Sequence, residues 1–261
     1  IFQVINAMNR GSKVIACVAP AFVGQFGKAA TPAKLKTAMR ILGFDDVVEV
    51  AIGADLCTVE EAKDFLAEVP EKLPFMGTSC CPAWSVMAKK LFPEFKDCIS
   101  MALTPMVLTA RLIKKDHPDA RICFIGPCAA KKLEANRKSV RSDVDYVLTF
   151  EELQGMFDAK NIDFTTLEAD PEDGLNEGTS MGRGFAVGGG VAAAVVEAIK
   201  HIDPTREVQI EYGDGLRECK KMLMMAKAGK RNGYLLEGMG CPGGCLAGAG
   251  TITPVRESTL N

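Results

Sequence analysis

The sequence predicts an α/β fold built on largely parallel sheets, and three observations carry that expectation. Short runs rich in β-branched residues alternate with amphipathic helical periodicities along all 261 residues, and parallel strands need such crossover helices. Helix starts are marked by proline at the first position, where its missing N–H costs nothing. Strand-like runs end in Ala-Pro or Gly-Pro, the mark of chain leaving a sheet for a loop.

Residues 13–18 form the first predicted strand, closing at Ala19-Pro20. Thr31 caps a helix that begins at Pro32, runs through Leu42 and stops at Gly43. Residues 46–51 read as strand, and 56–69 as an amphipathic helix starting near Thr58 with an acidic first turn. A short apolar strand at 73–76 precedes helices over 82–92 and 104–115. A strand over 121–126 ends at Gly-Pro, and another over 145–149 runs into a helix over 151–158. Residues 160–187 are polar and glycine-rich and read as a long, lid-like loop. Gly188-Gly189-Gly190 opens an alanine-rich helix to Lys200, followed by a strand (207–212), a helix (216–227) and a last strand (234–237). A boundary near residue 117 divides one functional domain into an amino-terminal lobe, 1–116, and a carboxy-terminal lobe, 117–261.

Hydrophobic residues make up 48% and charged residues 25%, with a formal net charge of −2. That is an ordinary globular balance, and it argues against nucleic acid or a membrane surface as partner. No apolar run reaches transmembrane length and no secretory signal opens the chain, so a cytoplasmic setting is expected. The first residue is Ile1 rather than methionine, which leaves room for an upstream domain.

Ten cysteines and two histidines narrow the chemistry. The cysteines are not spaced as a secreted disulfide scaffold. Cys17 in VIACVA and Cys123 in ICFIG sit in apolar runs and read as buried thiols. His117 and His201 lie in polar surroundings, so a metal site here would be built from sulfur. Cys80 and Cys81 in TSCCP, Cys128 in GPC, and Cys241 and Cys245 in EGMGCPGGCLAGAG all follow strand-like runs. Ligand sites of open α/β sheets gather at the carboxyl ends of strands, where these loops would meet. A cubane iron–sulfur cluster takes four sulfurs, and these loops offer one more. Neighbours in extended chain point to opposite faces, so one of Cys80 and Cys81 would ligate and the other look elsewhere. The spare thiol precedes a helix start, where the dipole lowers a thiol pKa and suits proton transfer. Structural zinc would also take four sulfurs, but it usually uses Cys-x2-Cys knuckles, which this chain lacks. Inert core thiols are the remaining alternative.

TSCCPAW (78–84), GPCAAKKLE (126–134) and EGMGCPGGC (237–245) resemble, in order, the three signature loops of [FeFe]-hydrogenases. The resemblance covers essentially the whole chain as that family's catalytic domain. It implies two α/β lobes, each with a small, twisted, four-stranded and largely parallel sheet flanked by helices, and an active site in the cleft between them. It also implies an H-cluster: a [4Fe-4S] cubane joined through a cysteine sulfur to a diiron unit carrying CO, cyanide and a bridging dithiolate. By position, Cys81, Cys128, Cys241 and Cys245 would hold the cubane, with Cys245 as the bridge. Cys80 falls on the family's proton-transfer cysteine. Lys131 falls on the lysine that hydrogen-bonds a cyanide, a charge-assisted contact suited to a dry pocket. Ala19 and Pro20 match the segment that touches the other cyanide, and Pro127, Phe185 and Met239 would pack near the diiron unit. The proton path maps onto Glu61, Ser100 and Asp64, with Glu61 and Asp64 sharing a helix face. Without the resemblance, Lys131 reads as a solvated lysine, Glu61 and Asp64 as helix caps, and Phe185 and Met239 as core.

Several positions depart from the family pattern. Ala21 stands in place of a common serine, Gly126 in place of a methionine that shields the bridging CO, and Met106 in place of a glutamine. Glu68 stands near the arginine that ends the usual proton path, and LAGAGT replaces a glycine-rich run ending in Gln-Pro. The resemblance therefore implies a divergent member that reversibly reduces protons to H2. No ferredoxin-like Cys-x2-Cys-x2-Cys run is present, so electrons would come from a ferredoxin-like donor or an upstream iron–sulfur domain. Hydrogenase maturation proteins would be partners in building the cofactor. Two alternatives stand beside this reading: an H-cluster protein that senses hydrogen, and a cubane-only relative acting in iron–sulfur assembly, against which the intact TSCCP argues.

Overall fold

The computed structural model describes residues 1–258. Its elements in chain order are α1 (Phe2–Asn9), β1 (Val14–Val18), α2 (Pro32–Leu42), β2 (Asp46–Glu49), α3 (Ala51–Glu68), β3 (Phe75–Gly77), α4 (Pro82–Leu91), α5 (Pro105–Asp116), β4 (Arg121–Ile125), α6 (Ala130–Asn136), β5 (Tyr146–Leu148), α7 (Phe150–Ala159), α8 (Ser180–Gly184), α9 (Gly190–Ile202), β6 (Gln209–Asp214), α10 (Leu216–Lys227), β7 (Tyr234–Met239) and α11 (Val255–Ser258). The expected α/β class holds. Two parallel sheets form, one of four strands in the order β2-β1-β4-β5 and one of three in the order β3-β7-β6. The second sheet is thus one strand short of the expected four, with a single bridge from Gly77 to Ile99 continuing its edge. All of β1 is buried, as a central parallel strand covered on both faces should be.

The expected division at residue 117 does not follow the sheets. β4 and β5 return to pair beside β1 and β2, and β6 and β7 complete the sheet begun by β3. The chain therefore crosses between sheets repeatedly, and each sheet draws strands from both sides of that boundary. No helix among the described residues is long and apolar enough to cross a membrane.

Local signals fixed α2 well. Thr31 accepts from the Lys34 N–H, Pro32 opens the helix, and Gly43 ends it at φ 108°. α3 starts seven residues before Thr58, where the sequence placed its beginning. Residues 46–51 read as strand, but the Val50 N–H donates to Val18 O and closes the ladder there. Ala54, Thr58, Glu61, Ala62 and Phe65 then bury one helical face. Gly53, inside α3, is a packing residue. A side chain there would collide with Pro105 O and Thr109 Oγ1, so its bareness lets α3 press onto α5.

The segment 160–187 is not a free lid. It contains α8, capped by Thr179, and is tied down to β2 and α3. Glu49 accepts from the Gly178 N–H at 3.0 Å and from the Arg183 guanidinium at 2.9 Å. Asp55 accepts from the Thr179 N–H at 2.9 Å.

Candidate functional site

In a parallel sheet, loops that leave strand carboxyl ends share one side. β1 exits into Ala19-Pro20, β4 into Gly126-Pro127-Cys128, β3 into Thr78–Cys81 and β7 into Gly240–Cys245. These loops meet around a cavity of about 80 Å3. Cys80, Cys81, Cys128, Cys245 and Lys131 line it, together with Ala19, Pro20, Pro127, Phe185 and Met239. The rest of the wall is apolar and includes Met106. Cys241 stands half-buried outside that lining.

The loops are held by specific contacts. The Thr78 N–H donates to Leu236 O, which joins the first loop to β7, and Trp84 Nε1 donates to Thr78 O at 3.0 Å. The Gly240 N–H donates to Cys81 Sγ at 3.3 Å. The Cys245 N–H donates to Ala186 O at 2.9 Å. Gly244 has φ +71°, and a side chain on it would stand 2.8 Å from Gly188 N and 2.9 Å from Ala186 O. Its glycine lets the third loop seat on the backbone before α9.

The thiols sense one another. Burial, then Cys81 and Cys128, pushes the Cys245 thiol up. Burial, then Cys128 and Cys81, raises Cys241. Cys128 is raised by burial, with Lys131 opposing. Thiols that resist ionising beside each other are relieved when a cationic group replaces their protons. Among the described residues, no three His, Cys, Asp or Glu side chains gather closely enough to hold a single ion.

Cys80 departs from the sequence expectation of a lowered pKa. It is pushed well above the ordinary thiol range by burial, then by Glu61 and Glu237. Desolvation and two nearby carboxylates outweigh the α4 dipole. Burial and its acidic neighbours therefore favour the thiol form of Cys80 over the thiolate.

Lys131 is a buried cation, not the solvated lysine of a motif-blind reading. Burial opposes its charge, yet Glu134 overcomes that and holds it above its ordinary value. Its Nζ lies 2.6 Å from Glu134 Oε2 and donates to Cys80 O at 3.2 Å. Thr104 Oγ1 donates to Glu134 Oε1 at 2.6 Å. An ammonium has three donors, and these contacts use two, leaving one for the cavity.

Glu61 is wholly buried, its Oε1 accepting from the Ser79 N–H at 2.8 Å. Its Oε2 has no hydrogen-bond partner among the described residues. Burial pushes its pKa up from 4.5 to about 7, with the Ser79 N–H opposing. Ser100 lies beside Glu61. Asp64, half-buried, is raised by burial and then by Glu68 and Glu60. Glu61, Asp64 and Ser100 do not line the cavity, whereas Cys80, whose thiol Glu61 influences, does. Linkage gives the sign of a pH effect. Folded Glu61 holds its proton more tightly than the unfolded chain does, so its contribution is full below 4.5 and lost as pH rises toward 7. Glu61→Gln keeps the acceptor for Ser79. In cofactor-free protein it should match wild type near pH 4 and exceed its stability near pH 8, by up to about 3 kcal/mol. Urea midpoints at both pH values check this.

Three site residues were not singled out from the sequence. Glu134 shares a helix face with Lys131 three residues earlier, a spacing that could have flagged the pair. Phe124 carries no local signal. Glu237 reads as a strand end, yet it is fully buried and accepts from the Gly189 N–H at 2.9 Å and the Ala192 N–H at 2.7 Å. It caps the start of α9 from β7, the strand that leads into the loop of Cys241 and Cys245.

A family profile described as iron only hydrogenase large subunit, C-terminal domain, matches residues 12–249. The chain belongs to that family. Iron hydrogenase 1 of Clostridium pasteurianum is 30% identical over 297 residues, covering 95% of this chain and 52% of the relative. Cytosolic iron-sulfur assembly component 3 of Mus musculus is 27% identical over 274 residues, covering 85% of this chain and 57% of the relative. A solved [FeFe]-hydrogenase chain, described for oxygen inactivation of its H cluster, shares the fold at TM-score 0.80 and 23% identity, over 99% of this chain and 87% of that one. The chain spans about half the length of these curated relatives. The iron-only hydrogenase family thus joins proteins named for hydrogenase activity with others named for iron–sulfur assembly.

Proposed function

We propose that this chain is the H-cluster domain of an iron-only hydrogenase, catalysing 2H+ + 2e− ⇌ H2 with electrons from a ferredoxin-like donor. One observation carries the reading: a fifth thiol, Cys80, lines an apolar cavity together with a buried cation, Lys131. Four thiols suffice for a cubane. A further thiol backed by buried Glu61 suits proton delivery.

The residues fit the group the family implies. Cys81, Cys128, Cys241 and Cys245 would hold the cubane, Cys245 also reaching the diiron unit, and the Gly240 N–H bonds the Cys81 sulfur as backbone amides stabilise cluster thiolates. The remaining Lys131 donor points the site toward an anionic ligand such as cyanide. When bound, the cubane supplies electron transfer and the diiron unit supplies the centre at which protons are reduced. The chain does the rest. Ala19, Pro20, Pro127, Phe185 and Met239 exclude water, so the Lys131 charge acts at low dielectric. Cys80 holds a proton at the cavity wall, Glu61 re-protonates it, and Ser100 and Asp64 connect Glu61 toward solvent. Maturation proteins would supply the diiron unit.

The test is H2 evolution from protein reconstituted with iron and sulfide, loaded with a diiron complex and given a strong reductant. Cys80→Ala should lose most of the rate while retaining its iron. An unchanged rate would remove Cys80 from the path, and a wild type that holds a cubane but takes up no diiron complex would favour the assembly-type reading supported by the mouse relative.

A further inference from the structure

We propose that Phe124 is the specificity-determining wall of the diiron cavity, and that position 126 is glycine because the Phe124 ring already fills its side-chain space. This rests on the proposed function. Positions two apart on a strand face the same side, and Gly126 follows Phe124 by two residues, just past the end of β4. Phe124 is 3% exposed and lines the cavity. A side chain built on Gly126 would stand 2.8 Å from Phe124 Cε1, 2.9 Å from Cζ, and 2.9 Å from Ala19 Cβ. Carbon atoms do not approach that closely without displacement.

The backbone that carries both neighbours is fixed by the sheet. Ala19 lies at the β1 exit, its N–H donating to Ile125 O at 2.8 Å, and the Gly126 N–H donates to Leu148 O at 3.0 Å. Phe124 itself is in register with Cys17 and Val147 in the middle of the four-stranded sheet. Two positions therefore compete for one volume, and the ring holds it. The Phe124 ring takes up wall space that a smaller residue would leave open, so it limits the bulk of any group the cavity seats.

The experiment compares wild type, Gly126→Met, Phe124→Ala and the double variant. The readouts are thermal unfolding of cofactor-free protein and the infrared intensity of CO bands retained after exposure to a diiron dithiolate complex. Gly126→Met alone should lower Tm by roughly 2–10 °C and cut uptake about tenfold or more. The double variant should recover both. Phe124→Ala alone should accept complexes with a bulkier dithiolate bridge that wild type refuses. Equal Tm and uptake for Gly126→Met and wild type would overturn the proposal, as would a double variant no better than Gly126→Met. If wild type takes up no complex at all, the function reading falls and this one falls with it; uptake by wild type and Gly126→Met alike sinks only this one.

Discussion

Glu134→Ala is expected to destabilise the chain by about 3–5 kcal/mol, the cost of leaving one member of a buried ion pair alone. Lys131 and Glu134 are both buried, 2.6 Å apart, and the acid's other oxygen already accepts from Thr104. Removing the carboxylate leaves an ammonium with only the Cys80 carbonyl as acceptor. The variant should respond by releasing the Lys131 proton more readily, which would erase the cation from the cavity. Urea midpoints measure the stability loss. The companion Lys131→Met/Glu134→Leu should recover most of that loss, because no charge is left buried. If Glu134→Ala were as stable as wild type, the pair would not be shielded from water as its burial indicates. The double variant also separates folding from function: it should fold and bind a cubane yet hold an anionic diiron complex weakly.

Cys128→Ala carries the largest expected effect on composition. Its sulfur lines the cavity with Cys81 and Cys245, and its carbonyl receives the Lys131 N–H at the start of α6. Alanine keeps the backbone and removes only the sulfur. Iron and acid-labile sulfide, about four each per reconstituted chain, should fall to a small fraction. Cys17→Ala and Cys123→Ala serve as controls. Both thiols are wholly buried in the four-stranded sheet, so their loss should lower stability and leave the iron count intact. Equal iron loss in all three would mean that cysteine removal acts through folding alone.

What could be read from the sequence was local. Thr31, Pro32 and Gly43 delimit α2 because caps act within a few residues, and the strand exits could be placed because proline and glycine mark them. Long-range causes were not readable. α3 begins at Ala51 because Val50 bonds to Val18, and no neighbouring residue signals that. The strand order alternates between distant parts of the chain, so a boundary drawn on the sequence could not coincide with the sheets. At the site, residue types and spacing picked out the thiols, and the cavity brings Cys81, Cys128 and Cys245 onto one lining. The protonation of Cys80 could not be read, because it depends on burial and on Glu61 and Glu237, both far from it in sequence. Adjacency to a helix start argued the opposite sign. Glu237 was missed for the same reason, since its partners on α9 lie well away along the chain.

The central claim is that this cavity holds a diiron unit against the cubane thiols, with Lys131 as donor to an anionic ligand. Infrared spectra of the reconstituted chain, taken after exposure to a diiron complex and removal of the excess, test it most directly. The account predicts retained CO and cyanide bands, with a cyanide band shifted in Lys131→Met. A chain carrying its full complement of cubane iron but showing no such bands would contradict it.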